Sequence, residues 1–319
     1  MDYRKRFIVE PGRKVRLAKI DPSYTGKHES HEKAAPQVRK HLERMGKLQY
    51  LLYADGNQSL LVVLQALDAA GKDGVVRHIF SGINPQGTLV FGFKQPSKIE
   101  SAHDFLWRIH LCAPAKGQIV IFNRSHYEDV LVVRVHDLVP RSVWSKRYDL
   151  VNDFEKMLVQ NGTRVLKFYL HISPEEQLAR FAQRLDDPAR NWKISESDYS
   201  ERELWPKYIS AYEDAMEETS TKHAPWFVIP ANHKWFRDLA ISQIIADTMD
   251  EMGLKLPPTS VNIAEIRRKY PADARTGEGT QTSRPQAWLT RGAAPTGCLP
   301  RSTDTAFRDC RATPSPRWS

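Results

Sequence analysis

Residues 59–76, SLLVVLQALDAAGKDGVV, decide the fold. The first eight are apolar on both faces, the pattern of a strand buried in a sheet covered on two sides. The chain then runs through Ala66-Leu67-Asp68-Ala69-Ala70-Gly71-Lys72-Asp73-Gly74 into a helical pattern. That is the spacing of the Walker A loop, with Ala66 in place of its first Gly and Asp73 in place of Ser/Thr. Successive backbone N–H groups between strand and helix can ring a phosphate. Gly71 permits close backbone approach and Lys72 adds positive charge. Ala69, Ala70, Gly71, Asp73 and Gly74, with Arg77 in the following helix, are candidate phosphate-binding residues. Losing Ser/Thr removes the usual hydroxyl ligand for magnesium, so Asp68 is a candidate to bind metal or to orient the attacking phosphate. The plainer alternative is an ordinary Gly-containing turn. The strand before it and the helix after it favour the phosphate loop.

Outward from this stretch, strands alternate with helices. Residues 31–54 carry Leu42, Met45, Leu48, Leu51 and Leu52 at helical spacing. GTLVFGF, QIVIFN, RVLKFYLHI and WFVIPA read as four more strands, separated by helical segments. Ser173-Pro174-Glu175-Glu176 is a helix start, with a capping hydroxyl, Pro in the first turn and two acids at the positive end. The pattern predicts a three-layer α/β/α sandwich of the P-loop kinase type, with a five-stranded parallel sheet. Residues 1–30 read as an N-terminal arm and 31–271 as the catalytic domain. Within it, the polar, aromatic segment at about 181–222 stands where a nucleotide kinase carries a helical lid. Residues 272–319 hold seven Arg and no Lys, with scattered Pro, Gly, Ser and Thr and no apolar periodicity. They read as a disordered tail.

A second signal is QIVIFNRSHYEDVLVVRV, an apolar strand ending at Asn123 and followed by Arg124. A Walker B strand places a magnesium-holding acid at this point. Here it is Asn, a neutral oxygen ligand. Arg124, at the carboxyl end of a parallel strand and beside a phosphate loop, is a candidate clamp. Glu128 and Asp129 are helix-start acids that could restore the negative charge Asn123 lacks, or contact the acceptor. Asp68, Asn123 and Asp129 are the candidate metal ligands, and Tyr127 joins the nucleotide-binding set. A third signal is EEQLARFAQRLDDPARNWKISESDY. Arg180 and Arg184 lie four apart on one helical face, and in a lid they could swing onto transferring phosphates. Lys193 continues that charge. Among Trp192, Tyr199, Trp205, Tyr208 and Tyr212, one could stack on a base.

The chain has 319 residues, 41% hydrophobic and 27% charged, with net charge +9 and pI about 9.4. The positive excess suits a polyanionic partner. No run of about 18 apolar residues exists to span a membrane. The N-terminus lacks the apolar stretch of a secretory signal. Three cysteines, Cys112, Cys298 and Cys310, have no metal-ligand spacing, and their odd number argues against a disulfide framework, hence a cytoplasmic location. The eleven histidines show no ligand spacing.

Taken together, LDAAGKDG, FNRSHYEDV, ARFAQRLDDPARNWKISESDY and APWFVIPANHKWFRD closely resemble the polyphosphate kinase 2 family, over roughly residues 10–270. The FNRSHYEDV form looks like its class III branch, associated with phosphorylating both nucleoside mono- and diphosphates. The resemblance implies a kinase acting on AMP or ADP with inorganic polyphosphate and magnesium, as a homo-oligomer (dimer or tetramer) with no nucleic-acid or membrane partner. It implies that Gly71 and Lys72 bind phosphate, that Asp68 is a metal-linked acid, Arg124 a clamp, and Arg180 and Arg184 lid arginines. Glu128 stands where other branches have Asn, a position tied to monophosphate use. Asn123 stands where the family more commonly has Asp, which leaves the magnesium ligands open. Two rivals fit parts of the sequence. One is an ATP-dependent nucleotide or small-molecule kinase of the same architecture. The other is a non-catalytic polyanion-binding protein, favoured by the altered Walker residues.

Overall fold

The computed structural model describes residues 1–28 and 30–269. These fall into two units, one of residues 1–259 and a second beginning at Ser260. In the second unit, Ile263–Lys269 form a short helix. The expected disordered tail at 272–319 lies outside the described residues, as do Cys298 and Cys310.

The first unit is built on a six-stranded sheet. In chain order the strands are β1 (Ile8–Val9), β2 (Ser59–Gln65), β3 (Thr88–Gly92), β4 (Ile119–Asn123), β5 (Thr163–His171) and β6 (Trp226–Pro230), arranged β1-β6-β5-β2-β4-β3. All five strands predicted from sequence are present and parallel. The sheet is nevertheless mixed, because β1 adds an antiparallel edge strand on β6, pairing Ile8 with Phe227.

Alternate residues of each central strand feed two cores. Leu60, Val62, Leu64, Ile121, Phe168 and Ile229 face a layer containing helices His31–Asp55, Lys72–Ile79 and Lys234–Glu251. Leu61, Val63, Phe122, Val165, Tyr169 and Val228 face helices Glu128–Val135, Arg147–Gln160 and Trp205–Thr219. Helices on both faces are why β2 reads as a continuous apolar run: every one of its residues is buried. Edge strand β3 is only partly covered, with Leu89 and Val90 exposed.

One charged cluster lies inside the second core. The Lys167 ammonium donates to Glu155 Oε2 at 2.5 Å, to the Tyr127 hydroxyl at 2.9 Å and to the Thr219 carbonyl at 2.7 Å. Glu155 Oε1 also accepts from Tyr127 and pairs with His126 Nε2. Burial alone would neutralise either ion, and pairing with further hydrogen bonds holds both.

Two boundaries differ from the sequence expectation. Residues 1–30 are not an arm: Tyr3, Phe7, Val9 and Leu17 are buried. Phe7 stacks on Tyr3 and meets Tyr24 and Phe236 edge-on, with ring centroids 5.7–6.0 Å apart. The outlying segment is also shorter than the 181–222 expected for a lid. Helix Trp205–Thr219 buries Ala211, Tyr212, Ala215 and Met216 in the second core, which leaves residues 187–204 as the outlying segment.

The aromatic cluster makes a prediction. Phe7→Ala should lower unfolding free energy by about 3 kcal/mol, measured by denaturant titration of the purified chain. A dangling arm would give no change.

Candidate active site

The carboxyl ends of β2 and β4 lie side by side, with Leu64 paired to Asn123. In open α/β sheets, ligands bind at such an edge. From the end of β2 the chain turns through residues 66–71 into helix Lys72–Ile79, whose first N–H groups have no partner within the helix. Two loop residues are left-handed, Ala69 at φ 61° and Gly71 at φ 104°. For Ala69, with its Cβ, this is a strained conformation. Gly71 is required for a second reason: a Cβ there would fall on the Arg237 guanidinium, and one at Gly74 would lie 3.1 Å from it.

The loop carbonyls are held from the protein side. Lys72 Nζ donates to Ala66 O at 2.7 Å and Leu67 O at 3.4 Å. Gln177 Nε2 donates to Asp68 O at 3.0 Å. Arg180 Nη1 donates to Ala69 O and Ala70 O, and Arg237 Nη1 to Gly71 O at 3.3 Å.

Arg124 is left-handed at φ 64° and turns its guanidinium toward the loop, where Nη2 pairs with Asp68 Oδ1 at 2.6 Å. Its other nitrogen lies 3.7 Å from Glu128 Oε2, and burial pushes the Glu128 carboxyl up against the pull of Arg124. Asp68, Arg124, Glu128, Trp205, Tyr208 and Tyr212 line a narrow cleft of about 30 Å³ beside the loop. Asn123 Nδ2 donates to Asp73 Oδ1 at 2.9 Å, and Lys193 Nζ from the lid segment reaches Asp73 Oδ2 at 3.1 Å. Partial burial opposes ionisation of Asp73, but these two donors hold its carboxyl below the usual range.

Asp68, Lys72, Asp73, Asn123, Arg124, Glu128 and Lys193 therefore converge. Four expected residues are placed differently. Arg180 is 5% exposed. Besides Ala69 and Ala70 it donates to the Ala231 and Asn232 carbonyls, and Nε pairs with Glu176 at 2.7 Å. It is a fixed part of the loop's support, not a swinging lid arginine, because every face of its guanidinium is engaged. Tyr127 is fully buried in the Lys167–Glu155 cluster and presents nothing to a nucleotide. Asp129 lies between Arg108 and Arg147, at 3.7 and 3.6 Å, so its carboxylate serves helix packing rather than a metal. Arg77 is exposed on helix Lys72–Ile79. Arg184 donates to Lys193 O. Among the described residues no group of three or more His, Cys, Asp or Glu could by itself hold a metal ion. Sequence reading missed Gln177 and Arg237. The available signals were the EEQLAR stretch after β5 and the HKWFRD stretch after β6, because parallel strands bring the segments following β5 and β6 to the same edge as the loop.

A polyphosphate kinase 2 family model matches residues 28–257. The chain is 49% identical over 254 residues to an AMP/ADP-polyphosphate phosphotransferase of Meiothermus ruber, spanning 79% of this chain and 95% of that one. It is 46% identical over 272 residues to an ADP-polyphosphate phosphotransferase of Rhodopseudomonas palustris, spanning 80% and 93%. A crystal structure of polyphosphate kinase 2 from Arthrobacter aurescens superposes with a TM-score of 0.81 at 39% identity, covering 84% of this chain and 96% of that one.

Burial, and then the Arg124 charge, push the Lys72 ammonium down to about 8. Below that value the lysine is charged and attracts an anion; above it the ligand-free loop loses the charge. Tripolyphosphate affinity should fall about tenfold from pH 7 to 9, the linkage expected if Lys72 stays charged in the complex. Calorimetric titration against Lys72→Arg checks this, since the arginine stays charged. An equal fall in both proteins would detach the effect from Lys72.

Proposed function

The chain belongs to the polyphosphate kinase 2 family, and from that premise we propose how its loop and cleft carry out the transfer. It is a phosphotransferase that moves a phosphoryl group from inorganic polyphosphate to a nucleotide, AMP or ADP in the relatives most like it. The observation that carries the residue assignment is the convergence of Asp68, Lys72 and Arg124 on a loop whose carbonyls are tied inward. Amides set this way face an anion without reorganising, which is the condition for stabilising charge in a transition state.

In this scheme a phosphate oxygen of the nucleotide attacks the terminal phosphorus of polyphosphate in line. The new P–O bond forms as the bridging P–O bond breaks, and the shortened chain departs with the electron pair. No covalent enzyme intermediate is needed. The loop amides, Lys72 and Arg124 bind the phosphates and oppose their charge. Glu128, on the cleft wall, faces the acceptor. The donor set suits a hard cation shared with substrate phosphates: Asp68 is about one-third exposed at the mouth and Asp73 two-thirds. Magnesium there would be held by Asp68, with Asp73 and Asn123 beside it, and would supply positive charge against the phosphates.

A cleft of about 30 Å³ is far below the few hundred Å³ a nucleotide fills. Residues 187–204, which reach the loop through Lys193, would swing outward to admit it. A cytoplasmic, homo-oligomeric enzyme is part of the same proposal. Cys112 carries a free thiol. Among the described residues, no helix is long and apolar enough to cross a membrane. Tyr50, Tyr53, Leu89 and Val90 leave apolar surface that a second copy would cover.

Purified protein given polyphosphate, magnesium and either AMP or ADP, without ATP, should form the higher phosphate. Lys72→Ala should lose about 100-fold or more of that rate, the scale of one preorganised charge. Turnover only with ATP as donor would favour the small-molecule kinase, and binding without turnover the polyanion-binding protein. Glu128→Asn should impair AMP use more than ADP use, compared as kcat/KM. Equal losses on both acceptors would remove Glu128 from nucleotide discrimination.

A further inference from the structure

Six consecutive carbonyls, from Ala66 to Gly71, each accept a hydrogen bond from a side chain. Three of the four donors lie outside the loop: Gln177 and Arg180 on the helix after β5, and Arg237 on the helix after β6. Arg237 is the most enclosed, at 1% exposed. Its Nε and Nη2 donate to Asp238 Oδ1 at 2.9 and 2.7 Å, which fixes the plane of the guanidinium and aims Nη1 at the loop. Asp238 is in turn held by His78 Nδ1 at 3.0 Å, from the helix that the loop opens. The guanidinium occupies the space a Cβ at Gly71 would take and approaches Gly74 from below.

Carbonyls that accept from side chains do not compete for the loop amides, and apart from Ala70 N–H, which donates to Leu67 O at 3.3 Å, those amides can turn to an anion. Buried cations on the carbonyl side also add positive potential beneath the anion, in a region where water does not screen it.

We propose that Arg237 is a positioning residue for phosphoryl transfer: through the Gly71 carbonyl it sets the direction of the loop amides, completing the work of Gln177 and Arg180, without touching substrate. This rests on the loop being the site of transfer. The hydrogen bonds of Arg237 run to Gly71 and Asp238, neither of which lines the Glu128 cleft, so its role separates from acceptor binding.

The test is Arg237→Gln in the full chain, assayed with polyphosphate and ADP. Expected are a kcat lowered about tenfold or more, as small misplacements of a reacting group cost, and an ADP KM within about twofold of wild type. The rise in melting temperature on adding tripolyphosphate should shrink by more than half, whatever the drop in the ligand-free melting temperature. A folded variant with a lower melting temperature, but wild-type kcat and tripolyphosphate shift, would reduce Arg237 to a packing residue and overturn the proposal. So would an ADP KM that rises in step with the loss of kcat. If Arg237→Gln fails to fold, Asp238→Asn keeps the guanidinium and loosens its anchor. The same readouts should then move in the same direction by about two- to fivefold, and unchanged readouts overturn the proposal. Wild-type protein that transfers nothing from polyphosphate would defeat the functional assignment, while the tripolyphosphate shift would still test Arg237.

Discussion

The loop between β2 and its helix depends on an unequal sharing of backbone groups. A peptide unit has a donor end and an acceptor end, and a phosphate wants only the donors. The acceptor ends must go somewhere, since a buried carbonyl without a partner costs about 1–3 kcal/mol. Here they go to Lys72, Gln177, Arg180 and Arg237. Much of the fold can be understood as the means of bringing those four side chains to one place. The parallel order β6-β5-β2-β4 puts the segments after β5 and β6 on the same edge as the loop. The N-terminal residues take part as well, because Tyr3 and Phe7 pack on Phe236, one residue before Arg237.

This arrangement explains the electrostatic character of the site. Lys72, Arg180 and Arg237 are all buried, and only Arg180 and Arg237 have close carboxylate partners, Glu176 and Asp238. Burial of Lys72 away from water, and then the nearby Arg124 charge, make it give up its proton more easily than an ordinary lysine. At the mouth, Arg124 engages Asp68 and Glu128, and Lys193 engages Asp73, so among the described residues Lys72 is the cation of the loop without a carboxylate within ion-pair distance.

The sequence made the sheet legible because burial on both faces leaves continuous apolar runs: β2, β4 and β6 are such runs, and β5 is one interrupted by Arg164 and Lys167. It made the loop legible because strand, Gly-Lys and helix are contiguous. It hid β1, since two residues between RKRF and EPGRK carry no periodicity and their pairing to Trp226 and Phe227 spans over two hundred positions. It misdirected Arg180, because four-residue spacing with Arg184 describes one helical face but not which end of that face is covered. Arg180 lies against the loop and Arg184 one turn beyond it, beside Lys193. Tyr127 and Asp129 misled for the same reason: they neighbour Arg124 and Glu128 in sequence, yet the helix start turns them to the core and to Arg147. Arg237 was out of reach, since a conformational constraint at Gly71 becomes a packing constraint only once the segment after β6 is known to lie beneath it.

The two sides of the site are built to different standards of rigidity. Beneath the loop, the carbonyls are held by buried side chains, three of them cationic, Lys72, Arg180 and Arg237, and such charge-assisted bonds are the stronger kind. Above it, residues 187–204 are tied down by Lys193 on Asp73, by Arg202 on the Pro174 carbonyl and by His136 with Glu201, contacts at or near the surface. Two of these, Lys193–Asp73 and His136–Glu201, are near-surface pairs of opposite charge type, a kind worth about 0–1 kcal/mol each. The two sides of the loop therefore differ in how they are held: by buried side chains beneath, and by near-surface contacts above.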